Sequence, residues 1–170
     1  MSGPVRSSRR APVILVSGGS VATPEEQALA VETGRRIADA GAVLITGGGA
    51  GVMEAASRGA REAGGIVLAV LPGSDAAESP PNAYVQHAVF TGMRDARNSI
   101  LVRTADAVIS IGGAWGTLSE IALARKIGRP VVLLASWRIT PPRPLPGDVP
   151  QRAESSEEAV RLALAAGGVS

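Results

Sequence analysis

Short, uniformly apolar runs alternate along this chain with stretches whose apolar residues recur at helical spacing. Val13-Ile14-Leu15-Val16 is the first such run, and it breaks into Ser17-Gly18-Gly19-Ser20. Thr23-Pro24-Glu25-Glu26 then carries the marks of a helix start: Thr as N-cap, Pro in the first turn, and acids near the positive end of the dipole. This predicts a helix over 24–40, with Ala28, Val31, Ile37 and Ala38 on its buried face and Gly41 closing it. A second strand over 42–46 runs into Gly47-Gly48-Gly49-Ala50-Gly51, followed by a helix over 52–63 that Gly64-Gly65 stops. The pattern continues with strands over 66–70, 84–90, 107–111 and 130–134. Helices are expected over 92–104, 116–127 and 156–166, the last with Ser156 as N-cap. Residues 74–82 and the proline-rich 136–155 read as loops.

Strands that are apolar throughout and alternate with helices imply a parallel sheet covered on both faces. With right-handed crossovers, this is a single Rossmann-like, doubly wound α/β domain over 11–170. Residues 1–10, polar and rich in Ser and Arg, read as a disordered arm. They contain no apolar core of a signal peptide. No apolar run approaches the roughly 20 residues of a membrane span, so a cytoplasmic protein with no membrane partner is the expectation.

Composition narrows the chemistry. The 170 residues include no cysteine, one histidine (His87) and one lysine (Lys126). Disulfides, thiolate metal sites and cysteine nucleophiles are therefore excluded, and no metal centre is expected. The net charge is only +2, and the aromatics are Tyr84, Phe90, Trp115 and Trp137. No basic run or stacking platform points to nucleic acid. His87, within a strand, reads as a packed side chain.

On a doubly wound sheet, ligands bind outside the carboxyl ends of the strands, and the glycine clusters fall there. Gly112-Gly113-Ala114-Trp115-Gly116-Thr117 follows a strand, opens a helix and ends in a hydroxyl. A helix amino terminus of this kind is an anion site, so Gly113, Ala114, Trp115, Gly116 and Thr117 are candidates for holding a phosphate. Trp115 has a second reading, as a cover for the pocket or part of an interface. Gly18, Gly19, Ser20, Gly47, Gly48, Gly49 and Gly51 are candidates for lining the remainder of the ligand site. Arg94 and Arg97 lie three apart at the start of the 92–104 helix, on one face, where arginine can fork onto a phosphate. Met93 and Asn98 flank them. Glu120 lies one turn into the helix after the phosphate loop. Its plain alternative is complementarity with the helix dipole, which is also the reading for Glu54.

No cofactor is implied by these loops. A P-loop needs lysine before Ser/Thr, and Val52 occupies the last glycine of a dinucleotide fingerprint counted from Gly47. Pyridoxal phosphate needs a buried lysine, whereas Lys126 reads as a solvated helix end.

Three stretches together resemble the LOG (Lonely Guy) and molybdenum-cofactor carrier superfamily, often labelled lysine decarboxylase-like. They are Thr46-Gly47-Gly48-Gly49-Ala50-Gly51-Val52-Met53-Glu54, Gly92-Met93-Arg94-Asp95-Ala96-Arg97-Asn98, and the segment from Ala105 through Gly112-Gly113-Ala114-Trp115-Gly116-Thr117-Leu118-Ser119-Glu120. The resemblance spans roughly residues 12–135. It implies a nucleotide-binding protein and a nucleoside 5′-monophosphate phosphoribohydrolase activity, releasing free base and ribose 5-phosphate. The catalytic pair it implies is Arg97 and Glu120. Gly112 stands in place of the motif's proline, Ala114 of its third glycine, Asn98 of a lysine and Ser119 of a first glutamate. The Arg97-Asn98 pair is similar to the carrier-like branch, which implies the alternative of a non-catalytic carrier or sensor for molybdopterin or a nucleotide. Either way the implied partner is a small phosphorylated ligand, nucleoside monophosphate or pterin phosphate. A homodimer or larger assembly through the 92–104 and 116–127 helices is also implied.

Overall fold

The computed structural model describes residues 10–146 and 149–168. The expected arm over residues 1–9 lies outside the described residues. Arg10 does not belong with it: its guanidinium pairs with both carboxylate oxygens of Asp106, at 2.9 and 2.6 Å.

Seven strands form one parallel sheet: β1 (Val13–Gly18), β2 (Val43–Thr46), β3 (Ile66–Leu71), β4 (His87–Phe90), β5 (Ala107–Ile111), β6 (Val131–Leu134) and β7 (Gln151–Ala153). Their order is β4-β3-β2-β1-β5-β6-β7. The chain winds outward from β1 through β2 and β3 to β4, then returns to lay β5 on the other side of β1. The reversal therefore falls between β1 and β5, paired in parallel from Ile14↔Ala107 to Gly18↔Ile111. A crevice at the carboxyl ends of these two strands is the natural ligand position.

The helices are α1 (Pro24–Asp39), α2 (Val52–Glu62), α3 (Asn98–Thr104), α4 (Trp115–Lys126) and α5 (Ser156–Ala166). Alternation along each strand divides the core. Ile14, Val16, Leu44, Ile109 and Ile111 face α1, α2 and α5. Leu15, Ile45, Val70, Val108, Val131 and Leu133 face α3 and α4. α1 begins at the expected N-cap, Thr23, and the structure adds a reciprocal capping box, in which Thr23 Oγ1 accepts from Glu26 N and the Glu26 carboxylate accepts from Thr23 N. Its buried face is Ala30, Thr33, Gly34 and Ile37, and Ala28 is exposed. The face turns because α1 crosses α2 with backbones nearly touching. A Cβ on Gly34 would strike Ala56 O, and one on Gly59 would strike Val31 O.

Four sequence expectations shift. The 92–104 helix is a 3-10 turn over Arg94–Arg97 followed by α3. The 136–155 loop contains β7, a short edge strand whose one buried residue is Ala153. The N-cap of α5 is Ser155, whose hydroxyl accepts from Glu158 N at 3.2 Å. His87 is exposed, because β4 is an edge strand whose residues are largely uncovered. Among the described residues, no helix is long and apolar enough to cross a membrane.

Candidate functional site

β1, β2 and α4 meet at an open cavity of about 260 Å³ at the switch point between β1 and β5. β1 ends in Ser17, Gly18, Gly19 and Ser20, all on its wall. Gly18 must be glycine for space: a Cβ there would collide with Val52 of α2 and with Ile111 O of β5. Opposite, Ala114, Gly116 and Thr117 present the first turn of α4. Its N-cap, Ala114, provides no side-chain hydrogen bond, so the opening amides keep their capacity for an anion. Gly112 and Gly113 turn into this helix with φ of 54° and 121°, values that favour glycine. The turn is latched from the β6 side. Ser136 Oγ donates to Gly112 O at 2.6 Å, Gly112 N donates to Ala135 O at 3.2 Å, and Ser110 and Ser136 share a hydrogen bond at 3.1 Å.

Two charged side chains of opposite sign line the same cavity. Glu120, one turn into α4, is buried, and Ser17 Oγ donates to its Oε2. Burial pushes this carboxyl above its ordinary value, against the pull of the Ser17 hydroxyl and the Arg97 charge. Arg97 is half-buried. Its Nη1 donates to Val70 O in β3 at 2.6 Å and to Gly47 O after β2 at 3.0 Å. Its Nε is buried without a partner among the described residues. Burial lowers the Arg97 guanidinium, while Glu120 and Asp95 act to raise it. Asn98, on the same wall, donates from Nδ2 to Ser119 Oγ at 3.1 Å, and Ser119 Oγ donates to Gly116 O at 2.9 Å. Asn98 thus ties the start of α3 to the first turn of α4.

The cavity therefore gathers Gly18, Gly19, Ser20, Gly47, Arg97, Asn98, Ala114, Gly116, Thr117 and Glu120 from the residues nominated by sequence. It does not gather the others. Gly48, Gly49 and Gly51 do not line it; the second glycine loop packs onto the first, and Val52 N, the first amide of α2, donates to Gly19 O at 3.0 Å. That bond occupies an opening amide of α2, so its amino terminus differs from that of α4. Arg94 and Met93 are exposed and off the cavity, since the 3-10 turn, with Arg94 at φ 48°, separates Arg94 from the inward-facing Arg97. Gly113 is exposed and does not line the cavity, and a Cβ there would meet the Thr117 side chain. Trp115 is 76% exposed and packs against Trp137 in a tilted arrangement, with ring centres 5.5 Å apart and planes at 42°. Sequence reasoning passed over Asp95 and Met53, which line the cavity. The only signal for either was its place inside a motif. Among the described residues, no cluster of three or more His, Asp or Glu is placed to hold a metal.

The model of the SLOG cluster4 family matches residues 11–164. A molybdenum cofactor binding protein of the phototrophic bacterium Rippkaea orientalis superposes with a TM-score of 0.80 and 36% identity, covering 93% of this chain and 98% of that one. The molybdenum cofactor carrier protein of Chlamydomonas reinhardtii gives a TM-score of 0.80 at 31% identity, over 92% and 98% of the two chains. An uncharacterized protein of Archaeoglobus fulgidus is 43% identical over 70% of this chain and 77% of its own. A probable cytokinin riboside 5′-monophosphate phosphoribohydrolase of Oryza sativa subsp. japonica is 28% identical over 71% of this chain. The matched region spans about half, 54%, of that rice protein.

Proposed function

The chain belongs to the SLOG cluster4 family, and from that premise we propose that it binds and carries a small phosphorylated heterocycle in the cavity at the start of α4. The ligand class is a pterin phosphate of the molybdenum-cofactor type or a nucleoside monophosphate. The observation that carries this reading is the uncapped first turn of α4 facing Gly18, Gly19 and Arg97 across one cavity. The helix end and the guanidinium supply positive potential, and the glycines let a ligand approach the backbone. The phosphate would sit at Ala114, Gly116 and Thr117. The heterocycle would extend along Ser17 to Ser20 and Gly47. Carriage of a molybdenum cofactor is what the Chlamydomonas neighbour is described as doing, and the likeness to it covers nearly that whole chain.

A second reading, hydrolysis of the N-glycosidic bond of a nucleoside 5′-monophosphate, is favoured by one specific arrangement. Glu120 and Arg97 line the same cavity and act on each other's charge. An ionised Glu120 would stabilise the oxocarbenium-like sugar as the glycosidic bond breaks; water would then add to the sugar and its proton would leave with the base. Homodimer formation through α3 and α4 accompanies either reading.

Trp115 lies between Ala114 and Gly116 of the cavity wall and contacts Trp137, so intrinsic fluorescence is the probe of binding. Titration with orthophosphate, AMP, GMP and molybdopterin should change the emission saturably, and chromatography of the same mixtures should show no free base. Release of adenine or guanine would replace carriage with hydrolysis. No saturable change with any of the four would refute the site.

A further inference from the structure

We infer that Asn82 is a positioning residue for Arg97, acting through the backbone of the Gly47–Gly49 loop. The inference rests on the phosphate-site reading above. Gly47-Gly48-Gly49 joins β2 to the approach of α2, and three successive glycines have more freedom to lose on ordering than any other tripeptide. Gly48 adopts φ 78°, and a Cβ there would meet Leu71 and Ala69. The loop provides one local bond, Gly48 N to Thr46 Oγ1 at 3.0 Å. Two distant residues supply the remaining restraint. From one side, Arg97 Nη1 donates to Gly47 O. From the other, Asn82 Nδ2 donates to Gly49 O at 2.9 Å and Gly48 O at 3.2 Å, and Asn82 N donates to Gly48 O at 2.9 Å.

Asn82 is itself held on every polar group. Its Oδ1 accepts from Tyr84 N at 3.1 Å, and its carbonyl accepts from Val85 N at 3.2 Å. Pro80 and Pro81 precede it and restrict the chain on entry. Asn82 is therefore a rigid clamp, and the glycine loop is the compliant part between it and Arg97. With the clamp in place, the Gly47 carbonyl is fixed. Arg97 then has two fixed acceptors for Nη1, Gly47 O after β2 and Val70 O in β3, which holds its guanidinium pre-oriented. Without the clamp, one of the two acceptors moves with the loop. A long side chain that must be ordered on binding costs affinity that a pre-oriented one does not.

Two variants separate this from a simple role in folding. Asn82→Asp keeps an oxygen for Tyr84 N but removes the Nδ2 donor, and Asn82→Ala removes both. Orthophosphate and AMP affinities are measured by tryptophan emission beside the Arg97→Ala and Asn82→Ala/Arg97→Ala variants. Both Asn82 variants should bind about five- to tenfold more weakly, with melting temperatures showing them folded. The double variant should bind no worse than Arg97→Ala, since the clamp acts only through Arg97. Full affinity in Asn82→Asp, or additive losses in the double variant, would overturn the inference. The Arg97 Nε–Hε resonance gives a readout that needs no ligand. It should report a restrained guanidinium in wild type and a mobile one in Asn82→Ala. If wild type binds neither probe, the phosphate reading fails alone, and an unchanged Arg97 resonance would overturn the Asn82 inference separately.

Discussion

Replacing Glu120 with Gln should make the protein more stable at neutral and alkaline pH. The Glu120 carboxyl is buried, and burial raises it above its ordinary value. A group with a raised folded-state pKa takes up a proton more readily when folded than when unfolded. Its contribution to stability is complete below the unfolded value of about 4.3 and is lost as pH rises through the folded value. Wild type therefore loses stability relative to Glu120→Gln across that interval. The slope cannot exceed about 1.4 kcal/mol per pH unit for one proton. For a chain of this size 1 kcal/mol moves Tm by about 2–4 °C, so the Tm difference should grow by at most roughly 3–6 °C per pH unit and then level off. The amide should fit, because Ser17 can still donate to the Gln oxygen and the other Glu120 oxygen has no hydrogen bond from the described residues. Calorimetric melts of both proteins from pH 4 to 9 give the measurement. A difference that does not change with pH, or a variant less stable than wild type throughout, would refute the reasoning. The same variant should bind orthophosphate at least as well as wild type, since a negative charge has left the cavity. Were the protein a phosphoribohydrolase, its turnover would fall hundreds-fold.

Asp95 adds negative potential to the cavity wall, so Asp95→Asn should tighten orthophosphate binding a few-fold at low salt, with the gain shrinking as salt screens it. Isothermal titration at two ionic strengths checks this, and weaker binding would contradict it. Deleting residues 1–9 should leave Tm unchanged, whereas deleting 1–10 should lower it, because Arg10 pairs with Asp106. Burial raises the Asp106 carboxyl, but hydrogen bonds from Arg10 and Val13 N outweigh it and hold the group below its usual value. The Tm difference between the truncations should therefore be present at pH 7 and fade as pH falls below the ordinary carboxylate range. Light scattering at micromolar concentration should give a dimer or larger species, since partly buried Ile100 and Leu123 leave apolar surface on α3 and α4. A stable interface would bury at least about 1,000 Å².

The strands and helices were legible where one local signal decided them. The N-cap at Thr23 specified the start of α1 without help from the tertiary structure. β1, β2, β3, β5 and β6 are apolar runs because both faces of the sheet are covered there. β7 was not legible, since an edge strand of three residues with one buried side chain leaves almost no pattern. The expected helix over 92–104 failed for a related reason. Its periodicity is correct only from Asn98, and the preceding turn is set by long-range bonds, Arg94 N to Pro72 O and Gly92 N to Gly73 O. That displacement is what parts Arg94 from Arg97, which sequence spacing alone had placed together.

The site shows where local reading stops. Two glycine loops, each followed by a helix, were both placed at the ligand site by sequence, the 112–117 loop at the phosphate and the 47–51 loop along the rest of the ligand. Their difference lies in what faces each helix start. The first amide of α2 meets the carbonyl of Gly19, so that loop is consumed in packing β1 against α2. No side chain caps α4, and its first turn meets open space. A glycine-rich turn at a sheet edge states only that the backbone must come close to something. At Gly51 that something is the protein's own chain, with a Cβ there meeting Gly19 and Ser20. At Gly116 a Cβ would meet nothing within 4 Å. The room left around the α4 turn, more than the glycines themselves, distinguishes the loop that can hold a phosphate from the loop that shapes its wall.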